Sequence, residues 1–220
     1  VLFMIPKKIH FIWIGPNILK EEYSKFIDEF KSMYYDYEIK IWGEMDIVSD
    51  DIIPENLKEF YYDSNFSYAF KADILRYLIT YKHGGLYFDV DFQSLRKIPD
   101  CFLSFDFLGA IQNNGEVAIG FFASSKDNQL LKNVIDSIPN SVQIAKDFGY
   151  YYNEAIYKIT GPEFFNRICM PYKNDSNCFF FTKEYFYPYW FEEKYRRYER
   201  FDISSPLSYA VHHWNMSWKL

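Results

Sequence analysis

Two acids two residues apart, Asp89 and Asp91 in Leu86-Tyr87-Phe88-Asp89-Val90-Asp91, give the sharpest chemical signal in this chain. On an extended backbone, residues i and i+2 point to one side, so the pair would place two carboxylates over one spot. Such a pair can hold a hard divalent cation, with water and phosphate oxygens completing its shell. Two acids at a strand end are also common as plain solvated turn residues, so the spacing needs context. Upstream, Asp73 and Arg76 stand three residues apart, hence on one helical face. They read either as a surface ion pair of little energetic weight or as a pair turned toward the same sheet end, Asp73 accepting from ligand hydroxyls and Arg76 steadying a sugar or phosphate.

Two further sets of residues carry the same double reading. Val211-His212-His213-Trp214-Asn215-Met216-Ser217-Trp218 gathers two imidazoles, two indoles, an amide and a hydroxyl. A neutral imidazole suits a transition cation such as Mn²⁺; the plain alternative is a histidine capping the core. If Tyr209-Ala210-Val211 is extended, His212 and His213 face opposite ways and at most one reaches a metal. Trp13, just before the Gly15-Pro16 turn, is either core or an aromatic face for a nucleobase.

These residues need elements to position them. The run from Lys8 to Ile14, rich in β-branched and aromatic residues and closed by Gly-Pro, reads as a buried first strand. A helix follows from about Glu21 to Met33, with Tyr23, Phe26, Ile27 and Phe30 forming one stripe, and then a strand from Tyr37 to Trp42. Phe70, Ile74, Leu75, Leu78 and Ile79 recur at threes and fours, which marks a helix over Ser67 to Tyr81. His83-Gly84-Gly85 ends it, the two glycines letting the backbone turn tightly into a strand over Leu86 to Asp91. Further strands are expected at Phe105 to Ile111, Val117 to Ala123 and Cys178 to Thr182, and helices over Asn128 to Ser137 and part of Ala145 to Lys158. Strands alternating with helices predict an α/β fold around a mainly parallel sheet, with ligands gathering beyond the carboxyl ends of strands.

Composition bounds the rest. Among 220 residues, 49% are hydrophobic and 22% aromatic, enough to build one sizeable core without disulfides or structural metals. One domain over residues 1–220 is expected; Val1-Leu2-Phe3 precede Met4, a candidate natural start, and are set aside. A net charge of -6 argues against nucleic acid as a partner, whose binding rests on Lys and Arg. Three cysteines, Cys101, Cys169 and Cys178, lack paired metal-site spacing and read as reduced thiols of a cytoplasmic protein. No run approaches the ~20 apolar residues of a membrane span. The aromatic stretch Tyr185 to Phe191, followed by Lys194, Arg196, Arg197 and Arg200, is either a peripheral contact with anionic lipid at the inner membrane face or core packing with a solvated edge.

Taken together, three stretches resemble the sugar-binding-motif glycosyltransferases with a DXD motif, which include yeast initiating mannosyltransferase, α-1,4-galactosyltransferase and bacterial capsule enzymes, with the glucosylating clostridial toxins more distant. The stretches are Ile5 to Gly15, Ala72-Asp73-Ile74-Leu75-Arg76-Tyr77 running into Gly84 to Asp91, and Tyr209 to Trp214. The resemblance implies a GT-A fold, a nucleotide-sugar donor with UDP-sugars favoured, and Mn²⁺ or Mg²⁺ as cofactor. It implies that Trp13 stacks on the donor base with Ile14 beside it and that Asp73 and Arg76 hold the donor sugar and diphosphate. By the same resemblance Asp89, with Val90, would contact the ribose and a metal-bound water at the metal site, and Asp91 and His212 would ligate the metal. Asn215, Ser217 and Trp218 would close the donor pocket. The implied reaction is retaining hexosyl transfer to a glycan or lipid-linked acceptor in surface polysaccharide synthesis. A toxin-like protein glycosyltransferase and a carbohydrate-binding module without turnover remain as alternatives. A phosphatase is disfavoured because Phe92-Gln93-Ser94, with no Thr, follows the second acid. Gln112-Asn113-Asn114-Gly115-Glu116 sits where acceptor-side residues are expected, without individual roles. Oligomeric state is left open.

Overall fold

A computed structural model describes residues 4–149, 153–193 and 207–215. Its first strand, β1 (Lys8–Ile12), is buried along nearly its whole length because it lies inside a sheet and is covered on both faces. It pairs in parallel with β2 (Glu38–Trp42) on one side and β3 (Gly85–Phe88) on the other. Beyond β3 come β6 (Val117–Ser124), β5 (Phe107–Ile111) and β7 (Cys178–Phe181), giving the order β2-β1-β3-β6-β5-β7. Three of the five pairings are parallel; β6 runs antiparallel to both neighbours. The expected mainly parallel α/β sheet is present.

Alternation along the strands, with one irregularity in β6 where the pairing with β5 shifts register, divides the apolar residues between two layers. On one face Tyr87, Ile119 and Phe122 pack with α4 (Tyr68–His83), α5 (Gln129–Asp147) and α7 (Pro162–Cys169). On the other, Leu86, Phe88, Ala118 and Phe121 meet Phe26, Ile27 and Phe30 of α1 (Glu21–Met33), together with Phe92, Phe186 and Ala210. α6 (Asn153–Ile159) completes the first layer.

Several elements depart from expectation. Helix α5 passes through Pro139 instead of stopping near Ser137, because Val134, Ile135, Ile138, Val142 and Ala145 keep one buried face across the proline. Short helices α2 (Glu44–Ser49) and α3 (Glu55–Tyr62), and helix α7, were not legible in the pattern. The strand expected to run to Asp91 ends at Phe88, and residues 90–91 form a turn. After that turn, β4 (Phe92–Ser94) pairs antiparallel with β8 (Ala210–His212) in a separate two-stranded sheet.

Of the aromatic segment, Phe186, Tyr187 and Tyr189 are buried, so this part packs into the core rather than offering a lipid-facing surface. Lys194, Arg196, Arg197 and Arg200 lie outside the described residues, as do Val1, Leu2, Phe3, Met216, Ser217 and Trp218. Among the described residues no helix is long and apolar enough to cross a membrane.

Candidate metal and donor site

The site is built where α4 hands the chain to β3. Gly84 and Gly85 have φ of +63° and +106°, values that L side chains rarely adopt. A Cβ on Gly84 would stand 2.8 Å from Pro6, and one on Gly85 2.8 Å from the Lys8 carbonyl. The double glycine therefore does more than turn tightly: it lets β1 lie close against the start of β3. His10 pins this joint. Its Nε2 lies 2.8 Å from the Gly84 carbonyl, and Trp42 Nε1 donates to its Nδ1 at 3.2 Å. A carbonyl only accepts and an indole N–H only donates, so the ring is neutral with its proton on Nε2. Burial pushes its pKa down to about 4.

At the other end of β3, Tyr87 and Asp89 share a face. The Tyr87 hydroxyl donates to Asp89 Oδ1 at 2.6 Å, and Arg76 Nη1 reaches the same oxygen at 3.1 Å. Asp89 N–H donates to the Gly120 carbonyl at 2.8 Å, and Phe92 N–H to the Asp89 carbonyl at 3.1 Å. A turn, not a strand pleat, thus aims the acidic pair. Val90 turns its side chain into the apolar layer, 6% exposed.

Arg76 and Asp73 are not a surface ion pair, since both are buried within α4. Arg76 Nη2 contacts Asp73 Oδ1 at 3.1 Å, while Nη1 also donates to the Ile119 carbonyl at 3.0 Å. Thr160 donates to Asp73 Oδ2 at 3.0 Å. Burial raises the Asp73 carboxyl to about 6 even with Arg76 and Thr160 opposing it. A buried guanidinium so placed supplies the positive charge that the buried Asp73 needs, and meets the half-buried Asp89 from the core side.

The far end of the chain closes the cluster. The β4·β8 ladder sets Phe92 opposite His212, and His212 Nε2 lies 3.1 Å from Asp91 Oδ1 and 3.9 Å from Asp89 Oδ2. Asn215 N–H donates to Asp91 Oδ2 at 2.8 Å. Burial would lower the His212 pKa, but the charge and hydrogen bond of Asp91 outweigh it and hold it above the ordinary value. The same contact overcomes burial at Asp91 and holds that carboxyl below its usual range, while burial drives Asp89 upward.

One ligand atom from each of Asp89, Asp91 and His212 lies within 4.8 Å of the others. Two carboxylate oxygens and an imidazole nitrogen form a donor set that suits Mn²⁺ and, through the oxygens, Mg²⁺. The imidazole is held edge-on against Trp214, with ring centroids 4.4 Å apart, and packs on Phe92 and Tyr187. As the alternation of an extended segment requires, His213 points the other way.

The comparisons with known proteins fit this geometry. Residues 20–110 match the family model described as the glycosyltransferase sugar-binding region containing DXD motif. The matched span includes Asp89 and Asp91. An uncharacterized glycosyltransferase, L373, of Acanthamoeba polyphaga mimivirus is 32% identical over 63% of this chain and 49% of its own length. Human alpha-1,4-N-acetylglucosaminyltransferase is 30% identical over 66% of this chain and 42% of its own. The chain thus spans less than half the length of these curated relatives. Among solved structures, the UDP-bound glycosyltransferase domain from the YGT toxin superposes with a TM-score of 0.61 at 10% identity, covering 81% of this chain and 79% of that one. That likeness shows the fold, which is the GT-A fold expected.

Within the DXD region and around it, the sequence-predicted residues Asp73, Arg76, Asp89, Asp91, His212 and Asn215 come together. Trp13 is half-buried just past the end of β1. Its N–H pairs with the Trp42 carbonyl at 3.0 Å, its indole donates to the Asn17 carbonyl at 2.7 Å, and its ring lies 5.7 Å from that of Tyr23. Ile14 packs at the edge of the α4-side core. Ser217 and Trp218 fall outside the described residues. Sequence reading missed Tyr87, Gly120, Thr160 and Tyr187. Of these only Tyr87 left a local signal, its two-residue spacing from Asp89.

Proposed function

We propose that this chain is a metal-dependent glycosyltransferase that moves a hexose from a nucleotide-sugar donor, UDP-sugars favoured, to a glycan or glycolipid acceptor, with retention at the anomeric carbon. The observation that carries the reading is the convergence of Asp89, Asp91 and His212, within 4.8 Å, beside a guanidinium that joins Asp73 to Asp89. Bound there, Mn²⁺ or Mg²⁺ would supply Lewis-acid stabilisation of the negative charge on a departing nucleotide diphosphate.

The chain's own residues then have distinct tasks. Asp91 and His212 fix two ligand atoms, and Asn215 N–H orients the Asp91 carboxylate. Tyr87 and Arg76 occupy Asp89 Oδ1, which leaves Oδ2 turned toward His212. Arg76 adds fixed positive charge in a water-poor site, where such charge is worth more than in solution. A carboxylate accepts about four hydrogen bonds, so Asp73, holding Arg76 and Thr160, keeps capacity for donor-sugar hydroxyls. Trp13 and Ile14 form the wall for the base. Synthesis of a surface polysaccharide is the process we assign. The likeness to a toxin's glycosyltransferase domain supports a second reading, transfer to a protein side chain.

A panel of UDP- and GDP-hexoses, scored for Mn²⁺-dependent nucleotide release, tests the proposal. One donor should be turned over, and Asp91→Asn should cut the rate at least ~100-fold. Release from no donor with Mn²⁺ or Mg²⁺, or full activity of Asp91→Asn in chelator, would sink it. Labelled product in a glycan or in a protein separates the two acceptor readings.

A further inference from the structure

His212 reaches the carboxylates only if β8 stays where it is, and β8 is three residues long. A strand that short has little stability of its own, so something else must hold it. The β4·β8 ladder holds one edge, and the Phe186 carbonyl accepts from His212 N–H at 3.2 Å. Just past the strand, Trp214 has φ of +54°, a backbone conformation that costs energy in a bulky residue. It allows the chain to bring Asn215 N–H back to Asp91. A strained turn at the end of a short strand needs an anchor between the metal ligand and the strained residue.

His213 occupies that position. Its backbone N–H donates to the Asp91 carbonyl at 3.0 Å. Its ring stacks on Phe26 of α1, with centroids 5.0 Å apart and planes 14° from parallel. Gln93 of β4 faces Nε2 through Oε1 at 3.1 Å, and the Tyr189 hydroxyl lies 3.1 Å from Nδ1. Oε1 only accepts, so Nε2 carries a proton, and the Tyr189 hydroxyl is the hydrogen-bond partner of Nδ1. His213 is 8% exposed, and its ring contacts three separate segments, α1, β4 and the stretch after β7. None of these partners of the ring, Phe26, Gln93 and Tyr189, is a metal ligand.

The geometry points to His213 as a positioning residue for the metal centre: it locks the back of β8 to α1, β4 and Tyr189 so that His212 on the front, and Asn215 beyond the Trp214 turn, stay registered on Asp91. The inference rests on the metal-site reading given above. Residues that orient metal ligands without touching the ion typically control affinity by about 10- to 100-fold, and His213 should fall in that range.

The test is Mn²⁺ binding to the whole chain without donor, by calorimetry or by the paramagnetic signal of free Mn²⁺, at a temperature well below unfolding. Wild type, His213→Ala, Tyr189→Phe and Asp91→Asn are compared, with each melting temperature recorded in chelator. We expect His213→Ala to weaken Mn²⁺ binding about tenfold or more. Tyr189→Phe removes one hydroxyl, leaves the ring packing intact, and should weaken binding by a smaller factor in the same direction. Because both effects are read in folded protein, a residue that served stability alone would lower the melting temperature and leave Mn²⁺ affinity unchanged. Affinity within twofold of wild type in both variants overturns the inference while leaving the metal site standing. Absence of Asp91-dependent Mn²⁺ binding in wild type overturns both. Should His213→Ala fail to fold, Tyr189→Phe decides alone.

Discussion

Replacing Arg76 by methionine tests whether the guanidinium is what keeps the acidic cluster inside the protein. Its Nη1 and Nη2 lie 3.1 Å from Asp89 and Asp73, and it donates to the Ile119 carbonyl at 3.0 Å. Methionine fills much of the volume but leaves two carboxylates and one carbonyl without their partner. Breaking a buried ion pair from one side costs about 3–5 kcal/mol. For a domain of this size that corresponds to a fall in melting temperature of roughly 6 to 20 °C.

The loss should depend on pH. Burial already raises Asp73 to about 6 with Arg76 present, and without the guanidinium it must rise further. A carboxyl whose folded pKa exceeds its unfolded value keeps its full contribution below the unfolded value and loses it as pH rises through the folded one. The gap between wild type and Arg76→Met should therefore be larger at pH 8 than at pH 5. Urea unfolding followed by circular dichroism in chelator, at both pH values, measures it. The double variant Asp73→Asn/Arg76→Met should lose less than the two single variants summed, because the neutral amide no longer needs the charge. A loss under ~1 kcal/mol, or an equal loss at both pH values, would refute the claim that Arg76 is the counter-charge of a buried cluster.

His10 should contribute the opposite slope, because its folded pKa of about 4 lies below the unfolded value. Its share is intact above the unfolded pKa and lost as pH falls; between pH 8 and pH 5 wild type should lose roughly 2 kcal/mol more than His10→Gln in urea titrations, and parallel curves would count against a neutral buried imidazole. Gly120→Ala would place a Cβ 2.9 Å from Asp89 Oδ2 and 3.1 Å from the Tyr187 hydroxyl. We expect Mn²⁺ affinity to drop about tenfold with little change in stability; unchanged affinity in a calorimetric titration would show that Oδ2 has room to move.

How much of this was legible follows from distance along the chain. Asp73, Arg76, Tyr87, Asp89 and Asp91 lie within one helix–strand unit, so helical spacing, the double glycine and period-two alternation constrain them together. Thr160 bonds Asp73 across 87 positions, and Tyr187 reaches the Asp89 neighbourhood from a segment that reads only as aromatic. No local periodicity encodes such partners. The two carboxylates do lie over one spot, but not through the strand pleat that their spacing predicts. A pleat would have aimed both carboxylates alike, whereas the turn leaves Asp89 with Arg76 and Tyr87 and gives Asp91 to His212 and Asn215. Strands of three residues, such as β4 and β8, are too short for alternation to declare them.

The two halves of the site are held differently. Asp89 projects from the turn that follows a strand of the six-stranded sheet, backed by two apolar layers, and its carboxylate is fixed by groups within that core. His212 comes from a two-stranded ladder of three residue pairs that joins segments far apart in the chain. Local opening costs least where few buried contacts must break, so the β8 half of the site should open well below the free energy of global unfolding, while the β3 half opens only with it. A cation held by residues of both halves would bind only the closed form and so would favour it by mass action. Hydrogen exchange of the His212 and His213 amides should therefore slow with Mn²⁺ while that of Leu86 and Phe88 stays constant, because the ion can add protection only where the protein alone has left it incomplete.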